Sequence, residues 1–276
     1  MTATVLRDAQ SAPRLPQRIV CLTEETTETL YLLGEEARIV GVSGFTVRPP
    51  RARREKPRVS AFTSARIDKI VALRPDLVFG FSDLQADIAA ELIRRGVNVC
   101  VFNQRSTDEI LAMITAVGAL VGAPERTAAL VRDLEGRVRI ARAAAAKLPR
   151  RPRVYFEEWD SPQIAGIRWV SELIEIAGGD DCFPELAREP MAKHRIIADS
   201  LEVPRRAPDI IVGSWCGKKF RPELVARRPG WQEVPAVKNR HLYEIKSADI
   251  LQPGPAALTD GLEQLSEIVR RWNSAP

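Results

Sequence analysis

The sequence predicts an α/β protein made of two lobes joined by one long α-helix, with a ligand cleft between the lobes. Three observations predict it. Short apolar runs alternate with amphipathic stretches of helical length in both halves of the chain, the pattern of βαβ units around a largely parallel sheet. A charged, alanine-rich helical stretch from Pro124 to Lys147 separates the halves. The length, 276 residues, is too great for one typical core and suits two lobes.

The elements follow in order. RIVCL (18–22) reads as a buried strand. Thr23 to Thr27 supply capping hydroxyls and carboxylates to a helix that runs to about Leu33 and stops at Gly34. RIVGV (38–42) is a second strand, followed by a long loop through Pro49, Pro50 and Pro57. Ile67, Ile70, Val71 and Leu73 have helical spacing, and Pro75 ends that helix. DLVFGF (76–81) and VNVCVF (97–102) are strands on either side of a helix over about 84–95 that ends at Gly96. Ser106 and Glu109 have the spacing of a capping box for a helix to about Val121.

Pro124 opens the connecting helix at a favoured first position. The alternation resumes after Pro149. RVYFE (153–157), DIIVGS (209–214) and HLYEI (241–245) read as strands, WVSELIEIA (169–177) as a helix, and Gly178 to Asp181 as a helix cap and turn. Pro255 opens a last helix with Leu258, Leu262, Leu265 and Val269 on one face. The expected division is therefore a tail 1–17, a first Rossmann-like lobe 18–122, a connecting helix 123–149 and a second such lobe 150–276. Ligands of such lobes bind near the carboxyl ends of the strands.

Composition narrows the function. The chain is 45% hydrophobic and 28% charged, which fits a folded globular protein and not a disordered one. The net charge of +5 is mild and the aromatic residues are not interleaved with Lys or Arg, so nucleic-acid binding is not expected. Arg48, Arg51, Arg53, Arg54, Lys56 and Arg58 cluster in the proline-containing loop, either as a solvated face or as a site for an anionic partner. Cys21, Cys100, Cys182 and Cys216 lack metal-knuckle or redox spacing, and Cys21 and Cys100 lie in apolar runs as small hydrophobes. No 20-residue apolar segment exists for membrane insertion. The tail 1–17 has no apolar stretch of roughly 7–15 residues, so the sequence as written predicts a cytoplasmic protein, or a periplasmic one if a signal was removed.

Motifs of the common enzyme classes are missing. No dinucleotide glycine motif follows a strand, and there is no phosphate-binding loop or nucleophile elbow. The two histidines, His194 and His241, lie in different segments and supply no triad or metal site. The expectation is a binding protein without catalysis, resident metal or cofactor. What remains is a set of large and acidic side chains where strands end. Phe45, Phe62 and Phe81 do so in the first lobe, and Trp159, Trp169 and Trp215 in the second. Each is either a core residue or a contact face for a broad, partly apolar ligand. Glu24 and Glu25 begin the first helix, where the macrodipole favours them. Glu157 and Glu158 precede Trp159 and are candidates for a cation, a ligand amine or amide, or a neighbouring arginine such as Arg168 or Arg195.

The run from RIVCLTEETTETLYLLG through IVGVSGFTVRPP to VSAFTSARIDKIVALRPDLVFG, with SELIEIAGGDDCF and RRAPDIIVGS in the second half, resembles the helical-backbone (class III) substrate-binding proteins of ABC importers. The likeness is to their cobalamin-binding members, in a subgroup without an export signal, and covers residues 18–272. It implies reversible binding of a corrinoid between the lobes by a monomer, with Phe45, Phe62 and Phe81 on one wall and Trp159 and Trp215 on the other. It also implies an ABC permease as partner, docked through Asp68 and through Glu202, which stands beside the aligned residue Leu201. The alternatives are another metal chelate or cationic metabolite (a siderophore or haem), or a cytoplasmic sensor or enzyme built on the same fold.

Overall fold

A computed structural model describes residues 15–275. Most of the expected tail, residues 1–14, therefore lies outside the described residues.

The first sheet has five strands: β1 Ile19–Cys21, β2 Ile39–Ser43, β3 Arg58–Ser60, β4 Leu77–Phe81 and β5 Val99–Phe102. Their order is β3-β2-β1-β4-β5 and every pairing is parallel, with Ile19 opposite both Ile39 and Leu77. Strands buried on both faces need apolar side chains at successive positions, which is why IVC and LVFGF read as continuous runs. Glycines with positive φ end two of the helices, Gly34 at +68° and Gly96 at +77°. Before the helix Thr107–Leu120, Ser106 Oγ accepts from the Glu109 amide and the Glu109 carboxylate accepts from the Ser106 amide, so the capping box forms as read.

The connecting helix spans Pro124–Ala145, two residues short of the expected Lys147. Its 22 residues give a rod of about 33 Å. Only Thr127 and Leu134 are buried, so the rod lies on the surface. It packs on the helix Thr107–Leu120 at Gly118, where a Cβ would stand 1.8 Å from Thr127 Oγ1.

The second sheet contains β6 Arg153–Asp160, β7 Gln163–Ala165, β8 Asp180–Asp181, β9 Ile210–Gly213 and β10 Leu242–Glu244. The order is β10-β9-β6-β7, and β8 pairs with the start of β6. Only β7 is antiparallel: it turns back on the end of β6, with Glu157 opposite Ala165. That return went unread in the sequence because three residues after a proline carry no alternation to count. Asp180 and Asp181, expected in a turn, form the two-residue strand β8, while Gly178 caps the preceding helix as expected, at φ +93°. The last helix opens with a π-helical turn over Ala257–Gly261 and continues as Leu262–Ser274.

The lobes share one apolar cluster, which runs from Ile19 and Leu30 through Ile110 and Leu134 to Phe156, Trp169, Ile250 and Leu258. Polar contacts reinforce it. Thr107 donates to Glu172 Oε2 from both its amide (2.7 Å) and its hydroxyl (2.8 Å), and Gln104 Nε2 donates to Pro253 O at 3.0 Å. Arg48 reaches Glu28 at 2.9 Å, Asp249 at 3.1 Å and Asp260 at 2.6 Å. This corrects the reading of Arg48 as part of a solvated loop: its guanidinium ties the first lobe to the C-terminal segment. A junction packed in this way allows small angular changes and resists wide opening. All four cysteines are free.

Candidate functional site

The loops and strand ends at the carboxyl side of the parallel strands carry the candidate residues, with one set in each lobe. In the first lobe the wall begins at Thr23, just past β1. The Thr23 hydroxyl donates to Glu25 Oε1 at 2.6 Å, and the Val47 amide donates to Glu24 Oε2 at 3.1 Å. Both glutamates are buried, and Glu24 Oε1 and Glu25 Oε2 have no hydrogen-bond partner. Burial, reinforced by neighbouring Glu28, pushes Glu24 up to about 8 and Glu25 to about 7, against the hydrogen bonds from the Val47 amide and the Thr23 hydroxyl. Near neutral pH both groups therefore exchange protons, and in the protonated form each can donate as well as accept.

The three phenylalanines differ. Phe45 is 60% exposed after β2, and Phe62 is half-buried after β3. Phe81 is buried, with the Arg105 guanidinium 4.6 Å above its ring. The face presented there is the cation. Arg105 lies 3.8 Å from Asp83, and its Nε is buried without a partner. Burial lowers its pKa, and Arg195 adds to that lowering.

In the second lobe Glu157 is fully buried at the end of β6 and fully engaged. Arg228 donates from Nη1 at 2.5 Å and Nη2 at 2.9 Å, Trp215 Nε1 at 3.0 Å and the Tyr155 hydroxyl at 3.0 Å. A carboxylate with four donors has no capacity left for a ligand. Trp215 is its buried partner, packed edge-on against Phe220 at 5.0 Å. Gly213 makes that packing possible, because a Cβ there would sit 1.9 Å from the Phe220 ring. Trp169 is buried under the lobe junction, its Nε1 donating to Ile250 O at 2.9 Å. The sequence groups Glu157, Trp169 and Trp215 with the cleft residues; the structure buries all three and engages their polar atoms within the protein.

Glu158 and Trp159 stay at the wall, both half-buried. Glu158 accepts from Arg195 Nη2 at 2.6 Å; burial raises its pKa and Arg195 opposes the rise. Trp159 donates from Nε1 to Ser161 O at 2.9 Å, which fixes the indole, and Lys218 Nζ stands 4.2 Å over the ring while pairing with Asp160.

Sequence reasoning missed Arg105, Arg228 and Cys216. Arg228 is 71 positions from the glutamate it holds, so no local spacing announces it. Cys216 is exposed beside Ser247 and Glu158, and burial of its thiol and the Glu158 charge raise its pKa. Among the described residues no group of three or more His, Cys, Asp or Glu is arranged to hold a metal ion.

The strand ends thus carry an exposed phenylalanine, a fixed indole, carboxyl groups of raised pKa and an arginine with one unsatisfied nitrogen. Residues 19–248 match the family model described as periplasmic binding protein. An uncharacterized ABC transporter substrate-binding lipoprotein of Bacillus subtilis (YvrC) is 25% identical, the match covering 92% of this chain and 80% of the relative. The vitamin B12-binding protein of Vibrio vulnificus is 25% identical over 94% of this chain and 91% of its own length. Among solved structures, a periplasmic heme binding protein from Pseudomonas aeruginosa superposes with a TM-score of 0.78 at 23% identity, covering 95% of each chain. The two-lobed α/β architecture and the family match agree: this chain belongs to the periplasmic binding protein family.

Proposed function

We propose that the protein binds a corrinoid reversibly in the cleft between its lobes, without chemical turnover. The observation that supports this reading is an aromatic side chain left accessible near strand ends in both lobes, Phe45 and Phe62 in the first and Trp159 in the second, with Lys218 over the indole. Flat apolar faces of this kind suit a broad macrocycle. A corrinoid brings its metal already coordinated in the ring plane and needs no donor from the protein. The protonated carboxyls of Glu24 and Glu25 match a ligand rimmed with amides.

Haem is the second reading, favoured by Arg105 with its unsatisfied buried Nε, which suits a carboxylate or phosphate on the ligand. It is the weaker of the two because haem needs an axial donor from the protein. The tyrosine hydroxyls are engaged by neighbours, Tyr31 with Glu55, Tyr155 with Glu157 and Tyr243 with His241. Cys216, just past β9, has a raised pKa that keeps it a thiol.

The reading includes an ABC permease as partner and a monomeric binding protein. It favours the extracytoplasmic side, in keeping with the lipoprotein and periplasmic proteins that the chain resembles. No helix among the described residues is long and apolar enough to cross a membrane.

Titration with cobalamin, cobinamide and haem, following tryptophan fluorescence, tests the proposal. Saturable quenching by the corrinoids is expected, weakened about tenfold in Trp159→Ala, the order expected for losing a large stacking face. Trp215→Phe serves as the control, since Trp215 supports Glu157 and lies behind the wall. Quenching by haem alone would replace the corrinoid reading with the second one.

A further inference from the structure

The surplus positive charge of this chain is concentrated in one place. Residues 51–69 contain seven Lys or Arg and two acids, a surplus of five that equals the net charge of the whole molecule. The fold gathers five of these cations around a groove of 780 Å³ along the outer edge of β3: Arg53, Lys56, Arg58, Arg66 and Lys69. The two acids of the segment are turned to other partners, Glu55 to the Tyr31 hydroxyl at 2.9 Å and Asp68 to Arg95 at 3.3 Å. None of the five cations has a carboxylate within ion-pair distance among the described residues, whereas Arg48 and Arg51 beside them are paired. Like charges held together without counterions cost free energy that a bound anion recovers.

The backbone decides what kind of anion fits. An open strand edge would invite an extended peptide. Here the edge is already taken. Arg66 N donates to Val59 O at 2.9 Å and Lys69 Nζ to Arg58 O at 2.7 Å, while Ala65 bridges Ser60 from the outer side. Recognition is therefore left to guanidinium and ammonium groups, which match phosphate oxygens. The Ser60 hydroxyl in the same lining is closed from solvent without a partner and can add a hydrogen bond.

We propose that this groove is an anion site, separate from the aromatic cleft, that takes two or more adjacent phosphate groups. Such groups come either from a soluble polyphosphate-type ligand or from phospholipid headgroups side by side on a membrane surface. Phe45 and Phe62 are not in its lining, although Gly44 and Ala61, which precede them in the chain, are.

Calorimetric titration of the full chain with inorganic tripolyphosphate at low salt tests the soluble source. Flotation with phosphatidylglycerol vesicles, against phosphatidylcholine vesicles, tests the lipid source. The double variant Lys56→Glu, Arg58→Glu, and separately Arg66→Glu, is expected to weaken whichever binding occurs by about tenfold or more, as loss of charge-assisted contacts requires. Both variants should keep the thermal midpoint of the parent, since four of the five cations are exposed and all five are unpaired. Saturable binding of tripolyphosphate lost in the variants assigns the site to a soluble anion. Binding confined to anionic vesicles and lost in the variants assigns it to headgroups. Absence of binding to either probe, or equal binding by parent and variants, overturns the proposal.

Discussion

The two lobes bury acidic residues toward the carboxyl end of a central strand and handle them in opposite ways. Glu157, in the last half of β6, is surrounded by four donors that include a bidentate arginine. Glu24 and Glu25, after β1, share two hydrogen bonds and leave two oxygens without partners. The first arrangement spends every lone pair on the frame and fixes the wall that carries Trp159. The second raises the pKa of its carboxyls into the neutral range and leaves hydrogen-bonding capacity in reserve. The same residue type thus provides rigidity in one lobe and adaptability in the other, and its counterion decides which.

The largest expected effect comes from breaking the rigid side. Arg228→Ala leaves Glu157 buried with half its donors gone, and should cost about 3–5 kcal/mol in chemical denaturation, the range for removing one partner of a buried pair. Glu157→Gln combined with Arg228→Met removes both charges, and should recover much of that loss. If the double variant were as unstable as the single one, the cost would lie in packing around Trp215 and not in an orphaned charge.

The adaptable side should show itself through pH. A carboxyl whose pKa is higher folded than unfolded holds its proton more tightly in the folded state. It therefore favours folding at acidic pH, and the advantage is lost as pH rises from the unfolded carboxylate range through about 7 for Glu25 and about 8 for Glu24. Glu24→Gln combined with Glu25→Gln should remove that dependence. Between pH 6.5 and 7.5 the parent should lose stability relative to the variant by on the order of 2 kcal/mol. Parallel pH profiles for the two would mean that the pair is solvated or finds counterions that the structure does not show.

Much of the frame was legible in the sequence. The capping box at Ser106 and Glu109, the proline that opens the connecting helix and the positive-φ glycines at 34, 96 and 178 are local signals, complete within a few residues. The site was legible only as a set of candidates. Trp159 and Trp169 stand ten positions apart, each next to polar residues, yet one lines the wall and the other sits under the lobe junction with Ile250. Nothing local separates them, because the deciding partner lies 81 residues away. Phe81 teaches the same lesson, since its exposure is set by Arg105 lying across its ring. Arg48, one of six cations in a loop, became an interlobe tie only through Asp249 and Asp260.

The contrast between committed and available acids recurs on the outer surface, where the expected effects on stability are smallest. Asp68 has a side chain 91% exposed, and among the described residues it forms an ion pair only with Arg95, at 3.3 Å. Glu202 is clamped by Arg205 at 3.1 Å and Arg206 at 2.9 Å, which hold its pKa below the usual carboxylate range. Exposed pairs contribute little to folding, so Asp68→Asn should leave the denaturation midpoint unchanged within error. If the first lobe engages a permease through an available acid, the same change should weaken capture of the binding protein by that permease in detergent or nanodiscs. Glu202→Gln should weaken it less, because the carboxylate it removes is already satisfied within its own lobe. Equal losses in the two variants would show that a permease arginine can displace Arg205 and Arg206, and the two acids would then be equivalent despite their different surroundings.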